Sequence, residues 1–280
     1  MKLEKITAWL DKTLNVAAFD DVSNNGLQIE RTEDSGQRTE VRCVAFAVDA
    51  SVRAVEEAAK AGAQLLVVHH GISWGGGIKR VSGGVGRVIR AAIANNVALY
   101  ACHLPLDAHP TLGNNAQLAK LLGLRRVKPA FSYHGNVIGL MGESSIRQIV
   151  ESSKREKRKP EGKLLQKFCD LLIRQFDDSD DSTIRRFDDS DDSTIWTVGL
   201  CSGGAGEFAE EAKSLGCDLY LTGEASWGDV IAAENCGMKM LCLGHYETEV
   251  WGVRAVAMAM KKALKIRTID LTETLRAEGR

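Results

Sequence analysis

Two adjacent histidines, His69 and His70, follow the apolar run Leu65-Leu66-Val67-Val68 and precede Gly71. The run reads as a buried strand, and the glycine lets the chain turn away. In parallel α/β sheets, ligands bind at the carboxyl ends of strands, so this pair could hold one metal each or bracket two. Two surface histidines would look the same, and it is the remaining histidines and acids that favour chemistry. His103 and Asp107 follow the apolar run Val97–Cys102, and His245 and Glu249 follow Met238–Leu243. Each is a histidine with a carboxylate four residues on. That spacing reaches a common metal where the chain turns or starts a helix. The proposed ligands are therefore His69, His70, Asp107, His245 and Glu249. Imidazole with carboxylate suits zinc, iron, manganese, cobalt or nickel, and a ligand set without thiolates argues against a closed structural zinc site. Five ligands are few for two ions and leave positions for water. A carboxylate such as Asp107 could bridge ions roughly 3.5–4 Å apart. Such a pair acidifies water and clamps a developing oxyanion, which is hydrolase equipment. His103 is read as a ligand, an acid–base group or a partner that orients a ligand. Glu224 and Glu247 are candidate bases, while His109 and His134 read as structural or exposed.

The elements that must position these residues alternate. Val41–Val48, Leu65–His69 and Val97–Cys102 read as strands. Between them lie helices from Ser51, a suitable N-cap, to Lys60 and from Val85 to Asn95. Strands alternating with helices imply a parallel sheet covered on both faces. Residues 129–142 read as one strand entering a second unit, followed by the strand Trp196–Cys201 and a helix Glu207–Leu215. Asp20 to Ile29, with its Asn24-Asn25-Gly26 turn signal, reads as a loop entering a short strand. Gly75-Gly76-Gly77, beside Trp74, reads as a gate or a turn.

The halves also match each other. Val55-Glu56-Glu57-Ala58 with Gly62 and Leu65 aligns with Ala209-Glu210-Glu211-Ala212 with Gly216 and Leu219 at an offset of 154 residues. His69 and His70 then fall opposite Gly223 and Glu224. His103 and Asp107 fall opposite His245 and Glu249 at an offset of 142. The expectation is an α/β fold of two similar three-layer lobes, residues 1–127 and 128–280, related by internal duplication, with the metal site in the cleft between them and the C-terminal helix packed back on the first lobe.

Between 151 and 195 the chain carries a charged insertion. A basic amphipathic stretch leads to Phe176-Asp177-Asp178-Ser179-Asp180-Asp181-Ser182-Thr183-Ile184, which recurs from Phe187 with an 11-residue period. The aspartates lack the glycine and closing glutamate of an EF-hand loop, so a solvated acidic loop is the expectation.

With 280 residues, 44% hydrophobic and a net charge of −1, the composition is globular. The charge gives no argument for a nucleic-acid partner. Apolar runs are too short for a membrane span, and Met1-Lys2-Leu3-Glu4-Lys5 has no signal-peptide core. The seven cysteines are scattered without a C-x-x-C pair, which suits reduced thiols in a cytoplasmic protein.

These motifs resemble one family over nearly the whole chain. Ser23-Asn24-Asn25-Gly26-Leu27-Gln28, Val68-His69-His70-Gly71, His103-Leu104-Pro105-Leu106-Asp107, Leu112-Gly113-Asn114-Asn115-Ala116, Leu221-Thr222-Gly223-Glu224 and Gly244-His245-Tyr246-Glu247-Thr248-Glu249 are similar to the Nif-three-like proteins, named GTP cyclohydrolase I type 2 homologues, in their short form. The resemblance implies a dinuclear site of two divalent ions (zinc, iron or manganese) held by His69, His70, Asp107, His245 and Glu249, and a homohexameric ring. It also implies a nucleotide substrate: opening of the GTP imidazole ring with loss of formate, His103 or Glu224 shuttling protons. A non-catalytic metal store, chaperone or scaffold is the alternative. The chain departs from the family after Glu224, where Ala225-Ser226-Trp227-Gly228-Asp229 stands in place of a loop that often carries histidine.

Overall fold

The computed structural model describes residues 1–31, 40–145 and 195–277. The basic stretch and the aspartate repeat fall outside these residues. The chain divides into two compact units, one of Met1–Asn114, His134–Asn136 and Glu249–Arg280, the other of Asn115–Tyr133 and Val137–Thr248.

The first unit is built on a five-stranded sheet. Its strands are β1 (Gly26–Ile29), β2 (Cys43–Asp49), β3 (Leu65–His70), β4 (Ala98–Ala101) and β10 (Arg267–Asp270), in the order β1-β4-β3-β2-β10. β10, β2, β3 and β4 run parallel, and β1 closes the edge antiparallel to β4. The central strands are continuous apolar runs because both faces are covered. On one face Ala45, Ala47, Leu66, Val68, Leu99 and Ala101 pack with α2 (Val52–Lys60) and α3 (Gly83–Ala94), through Ala54, Val55, Ala58, Val88 and Ala92. On the other, the buried Tyr100 hydroxyl donates to Asp11 of α1 (Leu3–Leu14) at 2.7 Å. Ser51 caps α2 as its type predicts, its side chain accepting from Ala54 N.

The second unit repeats the theme. Its sheet has the order β5-β6-β7-β8-β9, with β5 (Arg125–Tyr133), β6 (Asn136–Ser145), β7 (Ile195–Cys201), β8 (Leu219–Thr222) and β9 (Lys239–Cys242). β7, β8 and β9 are parallel, and β6 is antiparallel to β7. Between the parallel strands run α6 (Ala209–Ser214) and α7 (Trp227–Cys236), the latter opened by a capping box of Ser226 and Asp229. Thus β2-α2-β3-α3-β4 and β7-α6-β8-α7-β9 are successive βαβ units of the same order, and the two lobes are similar. The segment expected as one strand, 129–142, is instead two strands. His134 (φ 47) and Gly135 (φ 77) both adopt left-handed backbone, which suits the tight turn of a hairpin. The expected helix Glu207–Leu215 begins as one 3-10 turn, Gly206–Phe208, before α6. Among the described residues no helix is long and apolar enough to cross a membrane.

Both carboxylates of the repeated spacing lie on helices that follow a third parallel strand. α4 (Leu104–Ala108) starts after β4 with His103 as its N-cap residue. α8 (His245–Leu264) starts after β9. α5 (Asn114–Leu121) and α9 (Thr272–Ala277) complete the helices named here. In α8 His245 and Glu249 are separated by one helical turn, which sets them on one face; at α4 the histidine stands at the N-cap, and Asp107 N donates to its carbonyl.

Candidate metal centre

His69 is the fifth residue of β3, fully buried, and donates Nδ1–H to the Cys102 carbonyl at 2.9 Å. A carbonyl can only accept, so the donated proton fixes the tautomer, and Nε2 is left to face two carboxylates. Asp107 Oδ2 lies 3.4 Å from Nε2 and Glu249 Oε1 3.5 Å. These separations are too long for well-formed hydrogen bonds, and Nε2 has no hydrogen-bond partner although it is buried. A cation bonded to tetrahedral donors at about 2.0–2.1 Å holds them about 3.3–3.4 Å apart. Both separations from Nε2 therefore match the spacing of ligands around one ion. Burial alone would push the imidazole pKa down, but the charges of Asp107 and Glu249 overcome it and raise His69 to about 10. The pocket selects positive charge at Nε2.

His70, one residue on, repeats the arrangement. Its Nδ1 donates to Asp49 Oδ1 at 2.8 Å, and its Nε2 lies 3.4 Å from Glu249 Oε2. Asp49 ends β2 and is the register partner of His70 across the parallel ladder, so the sheet itself delivers the acceptor. The buried Glu249 thus turns one oxygen to each imidazole. Asp107, read from the sequence as a carboxylate that could bridge two ions, accepts through Oδ1 from Asn114 Nδ2 at 2.8 Å. The Asn114 amide oxygen accepts from Gly252 N of α8 at 2.7 Å. Gly252 permits that approach: a Cβ there would lie 2.6 Å from Asn114 Oδ1.

His103 closes the cluster. Its ring centroid is 5.1 Å from that of His69 and 5.7 Å from that of His70. Ligand atoms of the three rings all lie within 4.8 Å of one another, as do those of His69, Asp107 and Glu249. His103 Nδ1 donates to Asp21 Oδ1 at 2.9 Å. Asp21 also accepts from Ser23 N, Asn25 Nδ2 and Leu104 N. Burial would raise its pKa, but the His103 hydrogen bond and charge, with the other donors, leave it below the usual carboxylate value.

The Ser23-to-Gln28 motif, which looks like a plain turn in the sequence, is the bracket that joins these strand ends. Asn25 Oδ1 accepts from His103 N, and Gln28 Oε1 accepts from Ile72 N at 2.7 Å. Asn24 N donates to Ser73 O. Gly71 is required here because a Cβ would overlap the Gln28 amide and lie 2.6 Å from Ala101 Cβ.

In the second unit His245 heads α8, and its Nδ1 pairs with Glu224 Oε1 at 2.9 Å. Gly204 abuts this pair, its notional Cβ 3.5 Å from Glu224 Oε1. All four histidines therefore direct Nδ1–H to an acceptor and present Nε2, the orientation that metal-bound imidazoles keep. Glu247 is buried under Gly244. His109 has the structural role expected of it: Nε2 donates to Thr13 O, while Nδ1 accepts from Thr111 N and Leu112 N.

The first unit thus brings together His69, His70, His103, Asp107 and Glu249, while His245 and Glu224 meet in the second. Sequence reasoning missed Asp21 and Asp49 as acceptors. The signal for Asp49 was its position at the end of the neighbouring parallel strand; for Asp21 it was an acid in a loop dense with asparagine.

Comparison with known proteins identifies the family and the fold. A family profile described as Duf34/NIF3 (NGG1p interacting factor 3) matches residues 1–274. The chain is 36% identical over 269 residues to the GTP cyclohydrolase 1 type 2 homolog of Pyrococcus horikoshii, covering 96% of this chain and 97% of that protein. It is 36% identical over 255 residues to the protein of the same name in Deinococcus radiodurans, covering 91% and 86%. Among solved structures, protein ybgI, described as of unknown function, superposes with a TM-score of 0.74 at 28% identity, over 97% of this chain and 98% of that one. A Thermus thermophilus protein does so with a TM-score of 0.71 at 25% identity and the same coverage. By whole-length match and by fold, this chain belongs to the Duf34/NIF3 family.

Proposed function

We propose that the protein is a metal-dependent hydrolase with two divalent ions and a nucleotide substrate. The observation that carries this reading is Glu249, whose two oxygens lie 3.5 Å and 3.4 Å from Nε2 of two different imidazoles. A carboxylate placed so is suited to bridge. His69, Asp107 and Glu249 Oε1 would hold one ion; His70 and Glu249 Oε2 would hold the other. His245, one helical turn before Glu249, completes the ligand set that the family resemblance implies. Zinc, iron and manganese all suit these donors. Such ions supply Lewis acidity and acidify water near neutral pH.

The chain's own residues do the rest. Asp49 and Glu224 fix the rings of His70 and His245 with Nε2 outward. The Asn114 amide engages Oδ1 of Asp107 and so leaves Oδ2 as the oxygen turned to the ion. His103, with Nδ1–H given to Asp21, offers Nε2 to take a proton from water and return it to a leaving group. The names of the curated relatives support GTP as the first substrate to test, and formate is the product that the family resemblance implies. A ring-shaped homohexamer belongs to the same proposal and rests on the family resemblance.

The test is metal content and turnover of purified protein with zinc, iron or manganese, against GTP and a panel of phosphoesters. Metal-dependent turnover, lost in His70→Ala and Glu249→Ala with the fold retained, supports the proposal. Tight stoichiometric uptake without turnover of any substrate would assign the site to metal storage or scaffolding instead.

A further inference from the structure

Trp74 is a large apolar side chain left 38% exposed beside the histidine cluster. Its ring centroid lies 5.1 Å from that of His103, edge to face, and 6.0 Å from that of His70. The indole is held in place. Nε1–H donates to Gly71 O at 3.0 Å, and a β-bridge joins Trp74 to Ser23. Gly75 N donates to Val22 O, and Gly77 N turns back to Trp74 O. The indole is thus held in place with more than a third of its surface open to solvent.

The residues after it carry charge of one sign. Lys79 and Arg80 are exposed, and neither forms an ion pair with a described residue. A Cβ built on Gly76 would lie 3.9 Å from Lys79 Cε, so the lysine stem lies over the glycine turn that follows Trp74. From Gly71 to Arg90 the sequence has no acid. A firmly held, partly exposed aromatic ring followed within six residues by two exposed cations that pair with no described residue matches a planar heteroaromatic ring carrying phosphates: stacking takes the ring and the cations take the anion.

We infer that Trp74 is the platform on which the base of a nucleotide stacks at the candidate metal centre, with Lys79 and Arg80 engaging its phosphates. This rests on the hydrolase reading above for its substrate class, and it makes Trp74 a residue that determines specificity.

Calorimetric titration of the full-length protein with GTP, guanosine and inorganic tripolyphosphate tests it, metal-free and metal-loaded. Trp74→Ala should weaken GTP and guanosine about tenfold or more and leave tripolyphosphate unchanged, while Trp74→Phe restores most of the loss. Lys79→Ala with Arg80→Ala should weaken GTP and tripolyphosphate and spare guanosine. Unchanged GTP and guanosine affinity in Trp74→Ala, with a wild-type melting profile, overturns the inference. So does a wild type that hydrolyses aliphatic phosphoesters yet binds neither GTP nor guanosine, and that result leaves the hydrolase reading standing. Conversely, GTP bound through Trp74 with no metal-dependent turnover of GTP or of any phosphoester supports the inference and removes the hydrolase reading alone.

Discussion

Asp49 Oδ1 and His70 Nδ1 lie 2.8 Å apart at the carboxyl ends of adjacent parallel strands, where the ladder places the two residues opposite each other. The contact orients an imidazole without adding a ligand. Asp49→Ala should therefore lower divalent-metal affinity about 10–100-fold. The pair is half exposed on the aspartate side, so stability should hardly change. Chelator competition and a thermal melt on the same sample separate the two effects.

Glu249→Gln keeps the size of the side chain and removes the negative charge that two imidazoles face. Metal stoichiometry by elemental analysis should fall, because one substitution weakens both pairs of donors. A variant that still takes up two ions per chain with wild-type affinity would contradict the bridging assignment.

The His69 pKa is raised from 6.5 to about 10 in the folded protein. In metal-free protein its charge therefore contributes stability that is full below the unfolded pKa of 6.5 and is lost as pH rises through about 10. The contribution is of the order of a few kcal/mol. Melting of metal-stripped protein at pH 7 and pH 10 should show a larger loss in wild type than in His69→Gln. A cation must displace the same proton, so metal affinity should fall as pH is lowered, with proton release seen in calorimetry in buffers of different ionisation heat.

Asp21 has its folded pKa below the ordinary carboxylate value and accepts from four donors. Its contribution is complete above pH about 4 and disappears as pH falls through the folded value. Asp21→Asn should cost about 2–3 kcal/mol at neutral pH, and the gap from wild type should narrow on acid titration followed by circular dichroism.

How far the sequence could be read follows from what each feature needs. The strands β2, β3 and β4 were legible because a doubly covered parallel strand is a run of apolar residues. The helix-turn spacing of His103 with Asp107 and of His245 with Glu249 was legible because residues four apart share a helical face. The β5–β6 turn was not, since nothing in His134-Gly135 within a mixed stretch announces two positive φ angles. Nor were the Nδ1 acceptors: Asp49 finds His70 only through strand register, and Asp21 finds His103 across 82 residues. Nor was the contact of Asp107 with Asn114: Asp107 and Glu249 share the same spacing from a histidine, and only the folded chain shows that Asp107 Oδ1 accepts from Asn114 Nδ2.

The backbone leaves β3 at Gly71 through a gap that admits a hydrogen atom and nothing larger. The point of departure is therefore fixed, and so is the imidazole immediately before it. Everything downstream, including the length of the loop, its aromatic ring and its cations, lies outside that constriction. Such a layout separates two variables: the loop can change in length and chemistry while the cluster of imidazoles and carboxylates behind it is left unmoved.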